Sequence, residues 1–202
     1  SPEATTPSAH APGAVTEAKR SIVPRIGYDA LGNVTSRTED ADATVQAGGY
    51  SRTTVYEYDN RGNQIRTRFP DAYAINGAGQ LVATGQTSTI EVVYDAMNRA
   101  VVQKDMLGRY SYRTYDALGR LAYEVDAEGY VTSYTYNAFG DQATLTRHAA
   151  RINTGAVGGW VAGQALSLAQ MKGSGVVAAG ASDRTLTSAY DVRGQKTSVI
   201  QS

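Results

Sequence analysis

Tyr115-Asp116-Ala117-Leu118-Gly119-Arg120 is a turn spelled in residues, and it returns with variations along the 202-residue chain. Read as Asp or Asn, two residues, then Gly or Asn, the turns fall at Asp95 to Asn98, Asp105 to Gly108, Asp116 to Gly119, Asp126 to Gly129 and Asn137 to Gly140. Their first residues are 10, 11, 10 and 11 positions apart. Outlying copies are Tyr28 to Asn33, Tyr58 to Asn63 and Tyr190 to Gln195. A fixed period of this kind decides the architecture before any single residue is interpreted.

The spelling has a physical reason. Asp or Asn in the first position accepts backbone N–H bonds, and Gly three residues on adopts φ > 0 without steric cost. A type I turn followed by a left-handed residue makes a three-residue hairpin loop with a bulge. Where the pattern departs from itself it takes the next-best residues, Asn98 in the left-handed slot and Asn137 in the first.

Between the turns lie runs of six or seven residues rich in Tyr, Thr and Val, such as Arg109 to Tyr115 and Tyr130 to Tyr136, each about 20 Å long when extended. From Arg120 to Val125 the alternation predicts Leu121, Tyr123 and Val125 on a buried face and Arg120, Ala122 and Glu124 on a wetter one. Short strands with turns at both ends give an antiparallel meander. The fold class is therefore mainly β, a ribbon of hairpins with two open edges, and open edges point to a sheet that continues beyond these residues.

The Tyr-Asp-x-x-Gly-Arg turns at about 21-residue full spacing resemble the Rhs, or YD-repeat, family. The closest matches are Tyr115 to Leu121 and Tyr136 to Gln142, with looser ones at Tyr28 to Val34, Tyr58 to Gln64, Tyr94 to Arg99 and Tyr190 to Gln195. The resemblance implies an open, curved segment of a β-shell, as in bacterial Tc toxin complexes, Rhs polymorphic toxins and the teneurin ectodomain. It further implies a secreted or cell-surface bacterial parent whose shell encloses a C-terminal toxin, so that the partners are the rest of the shell and its cargo. Shells of this family commonly end in a self-cleaving motif like Asp-Pro-x-Gly-Leu. None of Pro2, Pro7, Pro12, Pro24 and Pro70 follows Asp, so the segment reads as interior wall.

The expected organisation is a Pro- and Ala-rich linker over 1–20, a YD-repeat sheet over 21–147 with a loop insertion at 69–87, a partly helical insertion over 148–183, and a further repeat over 184–202. Ser1 to Ala18 lacks the basic start and apolar middle of a signal peptide, which says nothing about a longer parent. The second insertion holds the only Trp, Trp160, with Leu166, Leu168 and Met171, and Gly173 as a helix end, so a short helix is expected around 160–172. As a lid, plug or docking element it would need a partner; packing of Trp160 and Leu166 onto the sheet, covering an edge, is the preferred reading.

Lys and Arg number 19 and Asp and Glu 19, so nothing in the charge favours nucleic acid. No run is long and apolar enough to span a membrane, and the absence of Cys removes disulfides and thiolate metal sites. Only His10 and His148 supply imidazole, one in the linker and one at the start of the insertion, and both read as solvated or capping. Asp29, Asp59, Asp95, Asp116, Asp126 and Asp191 share a turn position that accounts for them without chemistry, and neither Asp126-Ala127-Glu128-Gly129 nor Glu39-Asp40-Ala41-Asp42 completes a calcium loop. Tyr110, Tyr112, Tyr115, Tyr123, Tyr130, Tyr134 and Tyr136 could stack on sugars, making a glycan-binding adhesion array the alternative function, but cross-strand packing is the stronger reading. The expectation is a structural protein: not an enzyme, with no catalytic residue, no cofactor and no metal.

Overall fold

The computed structural model describes residues 23–40, 51–152, 157, 160–175, 177–178 and 180–202. The linker expected over 1–20, with His10, lies outside the described residues. The strands are β1 (Val23–Tyr28), β2 (Val34–Asp40), β3 (Ser51–Tyr58), β4 (Gln64–Arg68), β5 (Tyr73–Ile75), β6 (Leu81–Ala83), β7 (Thr89–Tyr94), β8 (Ala100–Lys104), β9 (Tyr110–Tyr115), β10 (Leu121–Val125), β11 (Tyr130–Tyr136) and β12 (Gln142–Arg151), followed by helix α1 (Leu168–Gly173) and strands β13 (Arg184–Tyr190) and β14 (Lys196–Gln201). Twelve of them form one antiparallel sheet in the order β1-β2-β3-β4-β7-β8-β9-β10-β11-β12-β13-β14, while β5 and β6 pair by themselves. The sheet is an open meander, as the repeat predicts.

Every turn is built alike. At Asp116 the backbone N–H bonds to the Arg120 carbonyl at 2.8 Å and the Gly119 N–H to the Asp116 carbonyl at 2.9 Å. The carboxylate Oδ1 accepts the N–H groups of Leu118 and Arg120, each at 2.9 Å. The fourth residue is left-handed, Gly119 at φ 81° and, where the sequence supplies no glycine, Asn98 at φ 60°. The insertion at 69–87 contains the same device: Asn76 Oδ1 accepts from Ala78 at 3.0 Å and Gln80 at 2.9 Å, closing the β5–β6 hairpin. Asn76-Gly77-Ala78-Gly79 obeys the rule already stated for the other turns, so this hairpin was readable from sequence although its glycines suggested a loop.

A meander sends alternate connections to opposite ends of the sheet. One end holds the turns that begin at Asp29, Asp59, Asp95, Asp116, Asn137 and Asp191, each preceded by Tyr. The opposite end holds the turns at Asp105 and Asp126 and every longer connection, including both insertions. On the first rim the tyrosines bind one hairpin to the last. The hydroxyls of Tyr58, Tyr94, Tyr115, Tyr136 and Tyr190 donate to the carbonyls of Val34, Gln64, Ala100, Leu121 and Gln142 at 2.8–3.2 Å. Each acceptor is the first residue of the preceding strand, five positions after the Asp or Asn of the preceding turn. Arg99 and Arg120, from two of those turns, also lie over the rings of the next tyrosines, Tyr115 and Tyr136, at 4.1 and 4.4 Å.

Packing is uneven along the ribbon. Across β8 to β11, Val102, Tyr112, Val125 and Val131 stand opposite one another in register, and the second insertion lies on them. Trp160 meets Tyr112 edge-on with centroids 5.0 Å apart, and its indole N–H donates to the Gln164 carbonyl at 2.8 Å. Met171 is fully enclosed. Toward β3 no such cover is present among the described residues, and the sheet is laced by ion pairs, Arg66 to Glu57 at 2.8 Å and to Glu91 at 3.4 Å, which as half-exposed pairs contribute little each.

Four expectations shift in detail. β12 runs to Arg151, so His148 belongs to the sheet and the insertion starts later than 148. The helix spans Leu168–Gly173, shorter than 160–172, because Ser167 caps it through a capping box with Gln170 while Gly163, at φ 88°, turns the chain just before. It ends at Gly173 as expected, and Trp160 and Leu166 pack onto the sheet as expected, over its face and not along an edge. Finally, Ala122 is buried, since a register shift between Leu121 and Tyr123 breaks the strict alternation.

The tyrosine linkage carries a simple test. Tyr136→Phe keeps the ring under Arg120 and deletes only the hydroxyl bonded to Leu121, so urea unfolding is expected to show a loss of about 1 kcal/mol with an unchanged m-value.

Candidate functional site

The turn carboxylates are the most numerous candidates. Asn33 and Asn63 reach back to Asp29 and Asp59, each through a side-chain bond of 2.9 Å. Arg99, Arg109 and Arg120 do the same for Asp95, Asp105 and Asp116 at 2.8–2.9 Å. The Asn33 bond, with the backbone N–H groups of Asn33, Leu31 and Gly32, holds Asp29 below the ordinary value of 3.8 against the cost of burial. For Asp116 burial pushes upward, but the backbone and guanidinium of Arg120 outweigh it and the net shift is down. These oxygens are committed to the turn. Among the described residues no three of His, Asp and Glu come together to hold a metal ion.

The tyrosines named as a stacking row are likewise engaged. Tyr112 is buried beneath Trp160, its hydroxyl accepting the Gly163 N–H at 3.1 Å, and burial pushes its ionisation upward. Tyr110 stacks on Tyr112 at 6.2 Å, Tyr130 lies under Arg151 at 4.7 Å, and Tyr134 donates to Glu124 at 3.3 Å. Tyr123 packs against the covered core, and Tyr115 and Tyr136 belong to the rim linkage. Each tyrosine of this row thus has a contact within the chain.

One constellation was not foreseen. His148, expected to be solvated or capping, is only 5% exposed and is bonded through both ring nitrogens. Its Nε2 lies 2.9 Å from Ser133 Oγ on β11, and its Nδ1 lies 2.9 Å from Asp183 Oδ2 where the insertion returns to the sheet. Asp183 is itself fixed, Oδ1 by the Ala149 N–H at 2.8 Å and Oδ2 by the Gly180 N–H at 3.1 Å. Those two backbone bonds, ahead of the burial that opposes them, hold its carboxyl below 3.8. An ionised carboxylate only accepts, so Nδ1 carries the proton in the neutral imidazole and Nε2 is left to accept from the serine. A pocket of about 380 Å³ opens beside the three side chains. Sequence separations of 15 and 35 residues gave no motif; the meander joins Ser133 to His148, and the length of the insertion brings back Asp183.

These features define an antiparallel hairpin-repeat sheet whose turns and tyrosines recur in phase. Residues 115–151 match the family model described as RHS Repeat, so the chain carries an RHS repeat from the end of β9 to the end of β12. No curated protein matches the chain. Among solved structures, a crystal structure described as TcdB2-TccC3-Cdc42 is 15% identical, with 91% of this chain and 11% of that one covered at a TM-score of 0.25. A Tc holotoxin pore from Photorhabdus luminescens is 16% identical over 91% of this chain and 11% of that one, TM-score 0.26, and a crystal structure of TcdB2-TccC3 is 16% identical over 89% and 11%, TM-score 0.26. The chain thus spans about a tenth of the length of the solved chains it matches. Among the described residues no helix is long and apolar enough to cross a membrane.

The carboxylate geometry sets an acid dependence. A carboxylate whose folded-state value is depressed adds stability that is complete above its unfolded value, about 3.9, and is lost as pH falls through the lower folded value. The melting temperature is therefore expected to be insensitive to these groups between pH 7 and 5 and to fall below about pH 4. Asn137 shows that an amide serves the turn, so Asp116→Asn is expected to lower the melting temperature less than Asp116→Ala, which removes the one oxygen that accepts both backbone N–H groups.

Proposed function

We propose that this chain is a length of wall in a larger β-shell, with a structural and enclosing role. The observation that carries the reading is the phase of the two outer strands. Five tyrosines each find the first carbonyl of the strand before them. Tyr28 on β1 is 61% exposed and sits where it would reach a strand preceding β1, while Lys196 opens β14 in the place its counterparts hold in β2, β4, β8, β10 and β12. Each outer strand pairs on one side only among the described residues. A further hairpin fits each edge in the same register, and a ribbon extended by many such hairpins, with the right-handed twist of sheets, coils into a wall.

The turn tips support the same reading. Leu31, Met97, Leu107, Leu118 and Phe139 occupy the third position of their turns and are 72–91% exposed, apolar knobs of a kind that a neighbouring turn of wall would cover. The family resemblance extends the proposal to a bacterial parent that is exported and encloses a C-terminal toxin domain. No structural observation favours a glycan-binding array over this, as the tyrosine row is occupied by intramolecular contacts.

Electron cryomicroscopy of the full-length parent tests the proposal. The expected result is a closed cavity walled by consecutive hairpins with a C-terminal domain inside, resistant to protease until the wall is opened; an open, linear array with an accessible C-terminus would overturn it. The isolated chain offers a second check. Sedimentation velocity is expected to show concentration-dependent head-to-tail association, β14 of one copy against β1 of the next, weakened by Tyr28→Phe.

A further inference from the structure

Ser133, His148 and Asp183 do something the wall does not require. A structural clasp would need only Asp183 to hold the returning insertion, and the Ala149 N–H of β12 already bonds to it. The imidazole adds an ordered relay in which Asp183 fixes Nδ1–H and Nε2 points at a hydroxyl. That hydroxyl is half-buried where the histidine is buried, and it borders the 380 Å³ pocket with Thr146, Thr185, Val177 and Gly180. Thr146 stands opposite Ser133 in register and its Oγ1 lies 2.9 Å from that of Thr185. One of these two hydroxyls donates to the other, so the proton of the second is not used in that bond.

We propose that Ser133, His148 and Asp183 form a nucleophilic acyl-transfer site that hydrolyses carboxylic esters of small acyl groups. Ser133 Oγ attacks the ester carbonyl as its proton passes to His148 Nε2, and the imidazolium formed is stabilised by Asp183. The free threonine hydroxyl donates to the oxyanion. Collapse breaks the C–O bond to the alcohol, which leaves with the proton from Nε2, and the acyl group stays on Ser133. Water then bonds its oxygen to the carbonyl carbon as it gives a proton to Nε2; the bond from that carbon to Ser133 Oγ breaks as Nε2 returns the proton to the serine, and the carboxylic acid is released. The pocket of about 380 Å³ has room for a short acyl chain.

The test uses the full 202-residue chain with a fluorophosphonate probe and with p-nitrophenyl acetate. The expected result is one covalent adduct mapped by mass spectrometry to Ser133, and ester hydrolysis that falls at least about 100-fold in Ser133→Ala and His148→Gln and substantially in Asp183→Asn. Ser133→Ala removes one hydroxyl from a half-buried site, so its melting temperature is expected to match the parent and separates chemistry from folding. An absence of adduct on folded protein, or hydrolysis unchanged by Ser133→Ala, would overturn the proposal and leave the three residues as a clasp. If Asp183→Asn unfolds the chain, the probe and Ser133→Ala still decide.

Discussion

The whole sheet depends on one side-chain oxygen. In each hairpin an Asp or Asn Oδ1 accepts the N–H groups two and four residues on, and so fixes a left-handed fourth residue and the bulge behind it. Without that oxygen the loop has no preferred length, and a register slip of one residue would turn the face of every following strand. Because the same device is used at successive turns, the strands arrive with the same offset, and the tyrosine that ends one strand meets the carbonyl that opens its neighbour. The rim linkage is thus a consequence of turn geometry more than a separate invention.

This arrangement explains how a wide sheet persists with a small apolar core. Among the described residues the apolar cover of Trp160, Leu166 and Met171 lies over β8 to β11, while much of the remainder relies on paired threonines, ion pairs and the rim tyrosines. Contacts are almost wholly between sequence neighbours, as in a solenoid, so each hairpin is stabilised by the two beside it. The covered patch is the place where the ribbon gains packing beyond its nearest neighbours.

Much of the fold was legible because its determinants are local. Asp116, Gly119 and Arg120 need only each other to make a turn, and the period of such turns dictates the meander. Asn76 is legible by the same rule, although three glycines nearby resemble a loop. The burial of Ala122 was hidden by a bulge that shifts the alternation, and the true start of the helix depended on the Ser167 capping box. The Ser133-His148-Asp183 group was not legible at all. Its members are brought together by strand pairing and by the path of a long insertion, neither of which leaves a mark in the spacing of the residues.

The sheet has two unlike rims, one carrying the six tyrosine-led turns and the other carrying the insertions. Like a bound book, it is stitched along a spine and free at the fore-edge. Sequence can be added, lengthened or exchanged at the free margin without disturbing the stitch spacing, since no tyrosine there must find a carbonyl at a set distance. Evolution can therefore fit the free margin with new chemistry while the spine continues to count hairpins.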